Sequence, residues 1–195
     1  MKKIISALLA LAVGALFLFS CGGASTATEI GQLQKEDGTF IYPGLAWGMT
    51  VGEAASAAGW TISEPQMVYN EKGEHVDTVA SVQKVSLGKQ EWSAQLQFDP
   101  DGGLWSITLV QNGDSAALGK IFKSYDKEMT AAYGSPAAAD YDRVIEAANG
   151  TVLDSTVTWE ALDGDGERVG GLALSYRRVE GGNTGSLALA MNCKK

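Results

Sequence analysis

The clearest pattern in the chain is an alternation of apolar and polar residues between positions 91 and 109. Every second residue from Trp92 to Phe98 is apolar, and Trp105, Ile107 and Leu109 continue the alternation. Period-two alternation is typical of a strand with one buried face. The intervening DPDGG at 99–103 has the Pro and Gly chemistry of a tight turn. The pattern predicts an antiparallel hairpin, with Trp105 on the buried face beside Ile107 and Leu109.

Weaker alternation marks further strands on both sides of this hairpin. Asn149-Gly150 is the strongest short signal for a hairpin turn, and DGDGE at 163–167 predicts another turn. Cys193 continues the phase of the last apolar stripe, which predicts a small core residue. The additional candidate strands are 65–70, 78–87, 143–148, 151–162, 172–176 and 187–193.

Two helices are predicted from capping residues and apolar spacing. Thr50 and Glu53 have the spacing of a capping box, which predicts a short helix over Val51–Ala58, ended by Gly59. Asp114 or Ser115 starts a longer helix that runs to Tyr133. One face of this second helix carries an apolar stripe that should pack against the protein core. The stripe comprises Leu118, Ile121, Phe122, Tyr125 and Met129.

The order helix, strands, helix, strands predicts an α+β fold, and the two halves of the chain show weak internal sequence similarity. We expect two tandem modules, each a helix with a three- to four-stranded antiparallel sheet. The alternative is one continuous curved sheet with the helices on one face. The expected divisions are a signal peptide at 1–20, a flexible tether at 21–42, a first module at 43–112 and a second at 113–195.

The first twenty residues predict where the protein resides. Lys2 and Lys3 precede an apolar run that is too short for a stable membrane span and is typical of a secretory signal. The run ends in Leu18-Phe19-Ser20-Cys21, which resembles the bacterial lipobox, although Phe19 is bulkier than usual there. The resemblance implies diacylglyceryl attachment to Cys21 and an exported protein anchored at the extracytoplasmic face of a bacterial envelope. The alternatives are an ordinary secreted protein and an uncleaved anchor.

Net charge limits the classes of partner, and cysteine content indicates how the fold is stabilised. The formal net charge is −8, and a net negative charge disfavours binding to nucleic acid or to anionic lipid headgroups. The expected membrane contact is therefore the lipid on Cys21 alone. With Cys21 acylated, Cys193 has no intramolecular partner, and we expect stability to come from an ordinary hydrophobic core.

One stretch resembles a known group of exported bacterial proteins. GLAWGMTVGEAASAAGW at 44–60 resembles the WGM-[ST]-x-x-E helix start of the beta-lactamase-inhibitor-protein-like group. DPDGGLWSI at 99–107 and YDKEMTAAYGSP at 125–136 add to the resemblance. The group implies tandem helix-plus-sheet modules, related to those of the small outer-membrane assembly lipoproteins. The resemblance implies fold and export, and no inhibitory residue carries over from it.

Motifs that carry chemistry are sparse. His75 is the only histidine and is read as a solvated loop residue, and no G-x-S-x-G elbow or phosphate-binding glycine loop is present. The alternating acids of DGDGE have oxygen ligands that suit calcium, but position 174, twelfth from Asp163, is Leu174 rather than a carboxylate. We therefore predict no catalytic residue, no metal site and no cofactor.

One feature predicts a function, namely the polar face of the sheet. A one-sided antiparallel sheet leaves its second face to solvent, and here that face carries short, mostly uncharged side chains. We expect it to bind another envelope protein or a secreted factor, without catalysis; the alternatives are simple solvation and a purely structural role. A rival hypothesis is a small-molecule binder or enzyme using a cleft between the modules, near Trp47, Trp60 and Asp163. The predicted binding residues are Gln95, Gln97, Thr108, Thr156, Thr158 and Arg177, with Trp47 and Trp60 as aromatic anchors at the rim.

Overall fold

The sheet is built from the alternating segments, and the computed structural model describes residues 28–147 and 150–194. A 3-10 turn at Ile30–Gln32 precedes helix α1 and strands β1 to β4, and helix α2 precedes strands β5 to β8. The bounds are α1 Val51–Ala58, β1 Gln66–Tyr69, β2 His75–Leu87, β3 Gln90–Phe98, β4 Leu104–Asp114, α2 Ser115–Tyr133, β5 Ala138–Ala147, β6 Gly150–Leu162, β7 Arg168–Val179 and β8 Thr184–Cys193.

The fold is α+β, as predicted, but its two halves share one sheet. The eight strands lie in the order β1-β2-β3-β4-β8-β7-β6-β5, and every neighbouring pair is antiparallel. Strands β4 and β8 pair from Ser106↔Asn192 to Asp114↔Thr184. The expectation of two separate tandem modules is therefore wrong, because pairing β4 with β8 satisfies two strand edges that separate modules would leave open. At this join the sheet is continuous, as in the alternative of one sheet shared by both halves, and it lies where the rival hypothesis placed a cleft.

One face of this sheet carries the core. Opposed core positions stack across the join, for example Leu109 against Leu189 and Leu189 against Leu174, and all three are 0% exposed. Helix α2 covers this face by contacting β4, β7 and β8. The predicted stripe on α2 is confirmed in large part, since its buried residues are Leu118, Phe122, Tyr125 and Met129.

The helix ends follow their capping chemistry. The Thr50 side chain accepts from the Glu53 backbone N–H, while a Glu53 carboxylate oxygen accepts from the Thr50 N–H at 2.8 Å. Gly59 closes α1 with φ of 65°, a left-handed conformation that glycine adopts at little cost. The Asp114 carboxylate caps α2 by accepting from the Ala117 N–H at 2.8 Å. Both predicted helices are confirmed with their bounds.

The flexible tether predicted for 21–42 does not extend over residues 28–42. Ile30, Leu33 and Phe40 are each at most 3% exposed, and the Tyr133 hydroxyl donates to the Ile30 carbonyl. The Gly88 N–H donates to the Thr28 carbonyl at 2.7 Å. This part of the prediction is wrong, because the apolar residues here show no period yet add a layer to the core. Residues 21–27 lie outside the described part of the chain.

Two β-bulges shift the predicted phase of the sheet. A bulge between Gln97 and Phe98 pairs Phe98 with Leu104, so Leu104 takes the buried position. Trp105, predicted in the core stripe, is half-buried instead, and its indole N–H donates to Asp77 at 2.9 Å. A second bulge, between Asp140 and Arg143, lies in β5, which begins five residues earlier than predicted.

Candidate functional site

The predicted polar residues lie together on the face of the sheet opposite the core, which we call the open face. Directly opposed residues of antiparallel neighbours point to the same side of a sheet. The register therefore arranges the open face in rows that cross β3, β4, β8, β7 and β6. One row is Gln95, Thr108, Ala190, Ala173 and Thr158. The row on one side is Gln97, Ser106, Asn192, Gly171 and Glu160. The row on the other side is Ser93, Val110, Ala188, Ser175 and Thr156.

Short side chains make the middle of the open face shallow. Its central strands contribute mainly alanine, serine, threonine and glycine, with Val110 and Asn192 as the larger members, while the longer Gln95 lies toward one side and is exposed. Hydroxyl groups bond within the face, as between Thr156 Oγ1 and Ser175 Oγ at 3.3 Å. The helices pack on the core face. A partner surface can therefore approach the open face closely over several strands.

A charged network borders the open face at the next row, which contains Ser186, Arg177, Asp154 and Arg143. Arg177 Nε lies 2.6 Å from one carboxylate oxygen of Asp154, and Arg143 Nη2 lies 3.3 Å from the other. The Asp154 side chain is only 4% exposed, whereas those of Arg143 and Arg177 are 56% and 63% exposed. A buried carboxylate requires such pairing.

This network has more positive than negative charge. Two guanidinium groups share the single carboxylate of Asp154, and both remain accessible to solvent. Asp140 lies in the neighbouring row opposite Thr156 but forms no ion pair within residues 28–147 and 150–194. Arg177 was predicted as a binding residue from the sequence, whereas Arg143 and Asp154 were not. An aspartate in the apolar-rich segment 152–159, aligned with arginines on neighbouring strands, was the available signal.

The two tryptophans predicted as rim anchors lie apart from the open face. Trp47 and Trp60 both pack against the hydrophobic core. The Trp60 ring centroid lies 4.9 Å from that of Tyr42, a buried residue whose hydroxyl donates to the Ser86 carbonyl. Their local role is packing around α1, which the alternative reading of these residues anticipated.

The two remaining candidates from the sequence, His75 and Asp163, form contacts with residues close to them in the chain. His75 Nε2 lies 3.0 Å from Thr78 Oγ1, and the His75 ring lies against Tyr69. The Asp163 carboxylate accepts from the backbone N–H groups of Asp165 and Glu167, which is the chemistry of a hairpin turn.

Cys193, predicted in the core, is instead half-buried. Its thiol donates to the Trp105 carbonyl at 3.7 Å. Its neighbour across the β7–β8 pairing is Gly170, in the last residue pair of that ladder. Cys21, the predicted lipidation residue, lies outside the described residues.

Within 28–147 and 150–194, no group of three or more His, Cys, Asp or Glu side chains is placed to hold a metal ion. No helix in that part of the chain has both the length and the apolar character needed to cross a membrane. Comparison with protein-family models, with curated proteins and with solved structures finds no match to this chain.

Proposed function

We propose that this protein is an exported bacterial lipoprotein, held to the envelope by a lipid on Cys21, whose open face binds a folded protein partner. The partner carries a flat surface and at least one carboxylate opposite Arg143 and Arg177. The single observation that carries the proposal is a shallow sheet face that no helix within residues 28–147 and 150–194 covers, with an accessible positive charge at its border.

The dimensions of the open face support a protein partner. The rows also continue onto β2 and β5. Seven strands at about 4.8 Å spacing, with about seven residues of each at about 3.3 Å, give roughly 800 Å². A specific interface of standard size buries about 800 Å² on each partner. Short side chains also lose little rotamer entropy on binding, which lowers the cost of ordering this surface.

Charge supports the chemistry proposed for the partner. The whole chain has a net charge of −8, which disfavours approach of a uniformly acidic protein. The Arg143–Asp154–Arg177 network is a local exception, because its two guanidinium groups outnumber its carboxylate. An acidic side chain placed there gains a charge-assisted hydrogen bond and fixes the orientation of the complex.

The binding experiment compares two charge insertions on the full-length lipoprotein. Gln95→Glu adds one negative charge on the open face without changing side-chain shape. Thr130→Glu adds the same charge at an exposed position of α2. Both proteins are expressed with a C-terminal tag in the native host and isolated from detergent-solubilised envelope. We expect a stoichiometric partner with wild type and Thr130→Glu, and a several-fold loss with Gln95→Glu. Equal recovery from both variants, or no partner with wild type, contradicts the docking function.

The lipid anchor is tested separately. Replacing Cys21 with Ala should move the protein from the membrane to the soluble fraction, because one diacylglyceryl group supplies two acyl chains for stable anchoring. A matched Cys193→Ala variant should stay in the membrane fraction. Retention of the Cys21→Ala protein removes the anchor from the proposal.

A further inference from the structure

A groove lies on the core side of the sheet, away from the open face, between α2 and strands β5 to β7. We call it the α2 groove and define it by Gly119, Lys123, Tyr141, Ser155, Tyr176 and Arg178. Its volume is about 430 Å³. Pockets for small ligands commonly measure about 300–1,000 Å³, so the groove has the size of a ligand site.

Two local features open the groove. Helix α2 packs on β4, β8 and β7, and Gly119 presents no side chain toward Tyr176. A Cβ at position 119 would lie 3.5 Å from the Tyr176 ring, which is ordinary contact, so steric crowding does not require glycine there. On the far side, the β5 bulge gives Asp142 a φ of 50°, an uncommon conformation for a residue other than glycine. Bulges and such strained residues occur often at functional sites.

Aromatic rings form the walls of the groove. The Phe122 ring lies 6.4 Å from Tyr141 and 5.9 Å from Tyr176, measured between centroids. The Tyr141 hydroxyl donates to Asp126 at 2.9 Å, and the Tyr176 hydroxyl donates to the Ser115 carbonyl at 2.5 Å. These bonds hold both tyrosine rings in place. Burial, followed by the hydrogen bond to Asp126, raises the pKa of Tyr141, so this hydroxyl stays protonated at neutral pH.

The polar groups that remain for a ligand are mainly donors. Lys120 and Lys123 are exposed at the rim and form no ion pair with any residue in the described ranges. The Arg178 guanidinium lies 3.6 Å from Asp142, an exposed carboxylate that neutralises it only in part. Ser155 Oγ accepts from the Asp142 N–H at 2.9 Å and keeps its own proton to donate. The Asp126 carboxylate, by contrast, already accepts from Tyr141.

We propose that the α2 groove binds a small aromatic carboxylate. Its ring packs against the Tyr141 and Tyr176 rings, which rest on the buried Phe122. Its carboxylate meets Lys123 and Lys120, with Arg178 within the same groove. The site is independent of the open face, because the two lie on opposite sides of the sheet.

The experiment measures binding of 2-naphthoate and of the neutral 2-naphthylmethanol by isothermal titration calorimetry. The full-length lipoprotein is held in detergent micelles, and the heat of ligand entering protein-free micelles is subtracted. We expect saturable binding of 2-naphthoate and about tenfold weaker binding of the alcohol, since the alcohol lacks the charge that the lysines meet. No saturation below millimolar 2-naphthoate, or equal affinity for the two compounds, overturns the proposal.

Variants locate the binding in the groove. Lys123→Gln should weaken 2-naphthoate binding about three- to fivefold, as for one exposed ion pair, while Lys127→Gln on the same helix should leave it unchanged. Gly119→Leu fills the groove and should abolish binding, with circular dichroism confirming an intact fold. Equal weakening by Lys123→Gln and Lys127→Gln, or undiminished binding in a folded Gly119→Leu protein, also overturns the proposal.

Discussion

Replacing Arg177 with Met tests how the border of the open face is held together. The change removes the guanidinium group that lies 2.6 Å from Asp154 and leaves Arg143, at 3.3 Å, as the one ion-pair partner of Asp154 among the described residues. A hydrogen bond to a charged group contributes about 1.5–3 kcal/mol, and breaking a fully buried pair costs about 3–5 kcal/mol. Because Arg177 itself is 63% exposed, solvent screening places the expected loss near the low end, at about 2 kcal/mol.

The neighbouring Arg178→Met variant is the matched control. Arg178 pairs at 3.6 Å with Asp142, whose side chain is 66% exposed, so the pair is worth at most about 1 kcal/mol. Urea denaturation at pH 7 gives the free energy of unfolding of each protein. We expect Arg177→Met to be less stable than Arg178→Met by at least about 1 kcal/mol. Its loss of about 2 kcal/mol relative to wild type should lower the melting temperature by about 4–8 °C. Equal losses for the two variants would refute the reasoning.

A double variant distinguishes two causes of the lost stability, an unpaired buried charge on Asp154 and the loss of side-chain packing. In the Arg177→Met background, Asp154→Asn removes the buried charge that has lost its stronger partner, so it should restore part of the stability. In the wild-type background the same change should destabilise the protein. If Asp154→Asn destabilises both backgrounds equally, the two side chains are not coupled, and the charged network does not organise this edge of the sheet.

Three further predictions concern the core and α2. Burial raises the pKa of Tyr125 and Tyr133 to about 12. Both hydroxyls therefore stay protonated in the folded protein at a pH near 10, where tyrosines of the unfolded chain ionise. The free energy of unfolding, measured by denaturation at each pH, should be unchanged below pH 10 and fall between about pH 10 and 12. If stability is flat across that window, the assignment is wrong. Gly119→Ala should raise the free energy of unfolding by about 0.5–1 kcal/mol, because alanine favours helix and its Cβ fits; a loss on thermal denaturation would contradict the described packing. Leu189→Ala, at a fully buried position beside the join, should cost about 2–5 kcal/mol in one cooperative transition; hydrogen exchange that weakens only the second half would argue against a continuous sheet.

The local elements were predictable because their signals are local. Capping residues and the apolar stripe gave α1 and α2 their bounds, and the alternation from Trp92 to Phe98 gave β3 its buried face. The open face follows from the same alternation, because residues between buried positions must point the other way. Gln95 and Thr108 are directly opposite each other in the sheet, as that argument requires.

The remaining features depend on contacts between distant parts of the chain. The pairing of β4 with β8 joins the halves of the chain, and no local pattern specifies which strands become neighbours. The bulge that moves Trp105 out of the core stripe changes the phase by one residue. Residues 28–42 pack without a period because their partners are distant in the chain: Phe40 packs against Tyr133 of α2, and the Tyr42 hydroxyl donates to the Ser86 carbonyl of β2. The α2 groove likewise exists only once β5 and α2 lie side by side.

The most direct test of the docking proposal is site-specific photo-crosslinking in growing cells. A benzophenone amino acid is placed at Gln95, Thr108 or Thr158 on the open face, or at Lys127 or Ala131 on the exposed side of α2. The account predicts one adduct of common mass from the open-face positions and none from α2. Adducts from α2 alone, or no adduct from any open-face position, would contradict it.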